Sequence, residues 1–196
     1  MNKPSYVPLL NSIAVNEAKG QRLLQTWAAA TPDEQLKSVL EFVAIREGEH
    51  AMAFTKRLCE LGCEVDEASA YQVFKDFDSL LACAASEASD AEKVAMLGDD
   101  DGAGEDGAEA RDPFRGFFKD TSIDPQTGAL LGRFIAEERD SGRRLKAEYD
   151  RVRAGAAAPP AGMAAGNELA ELRSCIAELR QDIAKLRKKV KKLQQL

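Results

Sequence analysis

The chemistry open to this sequence rests on a single imidazole, His50, and on carboxylates standing where a dry helical face needs apolar side chains. One stripe reads Leu10, Ile13, Glu17, Gly20, Leu24, Trp27, and a second reads Leu36, Leu40, Val43, Glu47, His50, Phe54, Leu61. A third reads Leu131, Phe134, Glu138, Ser141, Leu145, Tyr149, Val152. Each follows the spacing of an amphipathic helix and carries an acid near its middle. A fourth stripe, Val73, Phe77, Leu80, Ala84, Ala91, Val94, brings Glu87 with it. Glu47 and His50 are one helical turn apart, so both leave the same face and can grip one ion. An unpaired buried carboxylate costs on the order of several kcal/mol, and converging carboxylates repel one another. A cation must therefore stand among them, or some must hold protons. A divalent metal among them meets that need directly. Guanidinium groups from Arg22, Arg46, Arg57, Arg133 or Arg143 would meet it without any metal.

Other chemistries have little support. No nucleophile sits beside a base, and neither a phosphate-cradling glycine loop nor a nucleotide fingerprint is present, so hydrolase and kinase readings fall away. Cys59 and Cys63, a helical turn apart, lack a second close pair and read as small core residues. In the stretch GDDDGAGEDGAEARD the acids are adjacent and no glutamate closes a twelve-residue loop, so the calcium-loop pattern fails.

The elements that must position these groups are written in punctuation. Helix one spans about Val7 to Ala30, and Thr31 with Pro32 reads as the cap and first residue of helix two, which runs to Leu61 before the stop at Gly62. Helix three is expected from about Asp66 to Leu97 and an acidic, solvated loop over 98–112. Helix four starts with Asp124 as cap and Pro125 in the first turn and runs to about Arg153. Four long helices with mostly short connections predict an all-α antiparallel four-helix bundle over residues 5–153. A linker over 154–166 follows, then a helix over 167–196.

That last segment holds apolar residues at Leu169, Leu172, Ile176, Leu179, Ile183, Leu186, Val190 and Leu193, an unbroken heptad seam. Ile and Val recur at the a positions and Leu fills d, the pattern of a parallel dimer, with a trimer as its rival. Self-association through residues 167–196 is the expected partnership.

The bundle resembles the ferritin-like superfamily, in particular its rubrerythrin-type members. Glu17 on helix one, Glu47-Gly48-Glu49-His50 on helix two and the run that follows to Gly62 carry the likeness. The family's di-iron centre draws a glutamate from each of two helices and a Glu-x-x-His pair from each of the others. The resemblance implies that Glu17, Glu47 and His50 form a first half-site, with Glu87 and Glu138 contributed by helices three and four. It implies bound iron or manganese and a role in handling oxygen, peroxide or iron. Ser141 stands where a second histidine belongs, and serine is a poor iron ligand. A metal-free interaction or scaffold protein acting through the coiled coil is the alternative.

Charge narrows the partners. The net −6 argues against a general nucleic-acid binder, since the local +4 of 167–196 is balanced by a local −6 in 98–112. No apolar run approaches the roughly 20 residues that cross a bilayer, and no signal-peptide core precedes the first acid, so a cytoplasmic, membrane-free protein with reduced thiols is expected.

Overall fold

A computed structural model of the chain describes residues 3–97 and 119–157. Every element among them is a helix: α1 (Val7–Ala30), α2 (Glu34–Glu60), α3 (Phe77–Ala85), α4 (Asp90–Leu97) and α5 (Pro125–Ala157). None is long and apolar enough to cross a membrane. The chain divides after Ala154 into two units, and the site described below lies wholly in the first. The expected acidic loop over 98–112 and the coiled coil over 167–196 lie outside the described residues.

α1 keeps its expected limits, whereas α2 begins later than expected. Its cap is Asp33, whose Oδ1 accepts from the amides of Gln35 and Leu36 at 3.0 and 3.1 Å. Thr31 is instead drawn away: its hydroxyl accepts from the Asp33 amide at 3.1 Å and donates to Asp90 at 2.6 Å. Gly62 ends α2 with φ +68°, a left-handed conformation that favours glycine. Asp124 caps α5 as its sequence implies, accepting from the amides of Gln126 and Thr127 at 3.0 and 3.1 Å. α5 continues through Ala157, past the expected end at Arg153 and into the first residues of the expected linker.

The expected third long helix is the main departure. Residues 66–76 form no helix, because side chains of α1 satisfy their backbone instead. Asn11 pairs with both the amide and the carbonyl of Asp66, at 2.8 and 2.7 Å. Ser12 accepts from the amide of Tyr71 at 2.9 Å, and Asn16 spans the carbonyl of Tyr71 and the amide of Val73 at 2.7 and 3.0 Å. These bonds remove the donors and acceptors a helix would use and lay the segment along α1 as a strap. Asp76 then caps α3, and Ser89 and Glu92 form a reciprocal capping box that starts α4 afresh.

α5 lies antiparallel to α2 and parallel to α1. Glu148 near its C-terminal end meets Gln35 at the start of α2, and Thr127 near its N-terminal end meets Arg57. Tyr6 reaches Asp124, while Trp27 stacks on Tyr149 with centroids 5.6 Å apart. The apolar core is split in two along the helices. Leu24, Trp27, Leu36, Leu40, Val43 and Tyr149 fill one end. Leu10, Ile13, Phe54, Leu58, Leu131 and Phe134 fill the other. Burying each large side chain stabilises the fold by roughly 1.5–3 kcal/mol, and that burial holds the polar layer between the two ends in place.

Candidate metal centre

The polar layer is built by three helices at the same height. α1 contributes Glu17, α2 contributes Glu47 and His50, and α5 contributes Glu138. On each helix these positions lie between residues of the two apolar clusters, so the acids the sequence places mid-stripe meet in the interior. His50 Nδ1 lies 2.9 Å from Glu17 Oε2 and 3.4 Å from Glu138 Oε1. The possible ligand atoms of Glu17, His50 and Glu138 all fall within 4.8 Å of one another. Glu17 and His50 are buried, at 7% and 4% exposure. Glu138 Oε1 is buried and has no hydrogen-bond partner.

Glu47 is brought in by a glycine. A Cβ added at Gly20 would come within 2.5 Å of Glu47 Oε2, so a side chain at that point of α1 would push the carboxylate from where it lies. The contact is mirrored one residue on, where Gln21 occupies the space a side chain at Gly48 would need. α1 and α2 therefore approach closely at this level, as small residues permit.

The electrostatics follow from this crowding. Burial pushes Glu17 above the usual carboxylate range, and the charge of Glu138 adds to that push, against the opposing hydrogen bond from His50. Burial raises Glu47 still further, with Glu17 and Glu138 acting in the same direction. For His50, burial disfavours the imidazolium, but Glu138, Glu17 and Glu137 outweigh it and raise the ring to about 10. In the metal-free protein both ring nitrogens then carry protons: Nδ1 donates to Glu17 and Nε2 donates to Glu137 at 2.8 Å.

Glu137 is the residue that sequence reasoning missed. It lies off the apolar stripe, and only its place beside Glu138 and one turn after Arg133 hints at a role. Arg133 Nε donates to it at 3.0 Å, so Glu137 fixes His50 while being fixed itself. Glu87 is not brought in. It is exposed in the bend between α3 and α4, because the helix expected to carry it is broken by Ser86. Ser141 is buried, and its hydroxyl accepts from Arg46 Nη1 at 3.1 Å. The same nitrogen reaches Asp140 and the carbonyl of Glu137, each at 3.0 Å.

Of the arginines considered as counter-charges, Arg133 pairs with Glu137 and Glu49 at the edge of the site, and the others are engaged elsewhere. Arg57 pairs with Asp124 and Glu60, and Arg46 and Arg143 pair with Asp140. Arg22 lies over the Phe77 ring. The nearest positive group to Glu17 and Glu138 is thus the imidazolium. A group of one imidazole nitrogen and carboxylate oxygens, close enough to contract around an ion at about 2.0–2.2 Å, could hold a divalent metal. No protein-family model matches the chain, and neither a curated protein nor a solved structure does.

Proposed function

We propose that this chain is a ferritin-like metal-binding protein in which Glu17, Glu47, His50 and Glu138 hold a single iron or manganese ion. The observation that carries this reading is Glu138 Oε1, a buried acceptor with no hydrogen-bond partner, aimed at the imidazole beside Glu17. Glu138 Oε1, Glu17 and a deprotonated His50 Nδ1 would hold such an ion, while Glu137 would keep the ring oriented from its other nitrogen. Manganese and iron suit a set dominated by carboxylate with one imidazole. When bound, such an ion supplies redox chemistry toward oxygen or peroxide. The residues around it contribute a fixed, water-poor ligand set and a held proton at His50 Nε2.

One ion rather than two follows from α5. Where a second histidine would extend the site, Ser141 is committed to Arg46, and Glu87 lies in solvent. The arrangement has the parallel α1 and α5 and the antiparallel α2 that a ferritin-like bundle requires, with the strap, α3 and α4 in place of its remaining helix. Residues 167–196 join copies of the chain as a parallel coiled coil, on the strength of their heptad seam.

Elemental analysis of the purified protein tests the central claim. Stoichiometric iron or manganese that disappears in His50→Ala and in Glu47→Ala supports it, and a metal-free wild type that takes up neither ion on addition removes it. For assembly, removing residues 158–196 is expected to halve the mass measured by light scattering. An unchanged mass would overturn pairing through the tail.

A second reading has its own observation. The imidazolium of His50 already gives Glu17 and Glu137 a positive partner, so the fold can stand without metal. In that case the bundle is a metal-free module and the coiled coil does the work of assembly.

A further inference from the structure

A metal held by side chains as buried as Glu17 and His50 must reach them through the wall of the bundle. Two hollows flank the site. The larger, about 1060 Å³, runs between α1, α2 and the strap, but none of Glu17, Glu47, His50 and Glu138 is in its wall. The smaller, about 250 Å³, lies between α2 and α5 and ends on His50 itself. Ala53, Leu130 and Phe134 line it, and the exposed side chains of Glu49, Met52 and Arg133 stand at its mouth.

From this we infer that the smaller hollow is the passage through which a divalent cation reaches the carboxylates, with Glu49 as its first acceptor and Ala53 setting its width. The inference rests on the proposed metal site and adds the route into it. Three observations carry it. Arg133 and Glu49 pair across the mouth beside the exposed Met52, 3.8 Å apart with both side chains mostly exposed, a geometry that contributes little and opens readily. Arg133 also holds Glu137, so the two acids beside the passage share one mobile guanidinium that an arriving cation can replace. The inner end is the His50 imidazole, set at 80° to the Phe134 ring with centroids 5.0 Å apart, and its Nδ1 lies 2.9 Å from Glu17 and 3.4 Å from Glu138. The hollow has room for several waters, so an ion can shed its shell stepwise between Glu49 and the buried ligands. Ala53 is the smallest residue of the wall, and a larger side chain there narrows the path without touching a ligand.

The test is stopped-flow binding of Co²⁺ to the full-length chain, read by its visible absorption, alongside equilibrium titration. Ala53→Leu is expected to slow association at least tenfold and to slow release in proportion, leaving affinity within about twofold. Glu49→Gln is expected to slow association several-fold at low salt, with the difference shrinking as salt is raised. Thr55→Leu, which narrows only the larger groove, is expected to change neither rate. Unchanged association in both Ala53→Leu and Glu49→Gln overturns the route while leaving the site intact, as does slowing by Thr55→Leu alone. A loss of affinity in Ala53→Leu through faster release also overturns it, and if that variant fails to fold, Glu49→Gln decides. A wild-type chain that binds no Co²⁺ overturns both the route and the site.

Discussion

If the imidazole of His50 is a metal ligand, then the metal and a proton compete for Nδ1, and the structure fixes how strongly. The ring is held to about 10 by Glu138, Glu17 and Glu137 against the opposing effect of burial. At pH 7 it lies about three pH units on the protonated side, and each unit is worth about 1.36 kcal/mol, so the proton weakens binding by about 4 kcal/mol, or about a thousandfold. Raising the pH from 6.5 to 8.5 removes about two of those units and should tighten binding about a hundredfold. Burial also holds Glu47 and Glu17 above the usual carboxylate range, so protons released from them can only steepen the slope. The assay is a competition titration of Mn²⁺ against a chromophoric chelator at several pH values, corrected for the chelator's own protonation. The metal-free protein should show the opposite trend in stability. His50 has a folded value raised above its unfolded 6.5, so its stabilising effect is complete below about 6.5 and is lost as the pH rises through about 10. Glu17 and Glu47 are raised as well, so their effect runs the same way, complete below about 4.5 and lost as the pH rises through their folded values. Metal protection against unfolding should therefore widen with pH. An affinity that stays flat from pH 6.5 to 8.5 would refute the reasoning, because it would mean either that Nδ1 is not a ligand or that the ring is neutral before metal binds.

Three other outcomes are expected. Gly20→Ala forces the Glu47 carboxylate out of its cradle and should lower metal affinity at least tenfold while costing about 1–3 kcal/mol of stability, as overpacking does; denaturant titration and metal titration of one sample check both. Asp124→Ala removes the cap of α5 and the partner of Arg57 and Tyr6, and should lower stability by about 1–2 kcal/mol or more with metal stoichiometry unchanged. Asn16→Ala should free the strap near Tyr71 and Val73, seen as faster amide exchange at Val73 with α1 still protected.

The helices that follow the rule of local punctuation were legible. α1, the glycine stop of α2 and the Asp124 cap of α5 need only residues within a few positions of one another, and the apolar stripes of α1, α2 and α5 do face the core. The mid-stripe acids were legible for the same reason, because a carboxylate on a dry face is an anomaly visible in the spacing alone. The third helix was not. Phe77, Leu80, Ala84 and Val94 of its apolar stripe do pack on the core, from two helices, while Val73 is exposed, because Asn11, Ser12 and Asn16, some fifty residues earlier, take the backbone bonds that a helix over 66–76 would have made. The capping box of Ser89 and Glu92, three residues apart, is a local signal for the fresh start of α4.

The sequence by itself determined which faces are apolar, where acids interrupt them and which residues cap the helices, since these depend on side-chain type and on contacts a few residues apart. Tertiary structure decided that Glu17, His50 and Glu138 converge, that Glu137 holds the far nitrogen of His50, that Glu47 rests over Gly20 and that Glu87 is left in solvent. Those facts depend on how closely helices distant in sequence approach and at what height they align. No local pattern encodes that distance, because it is set by the packing of both apolar clusters together.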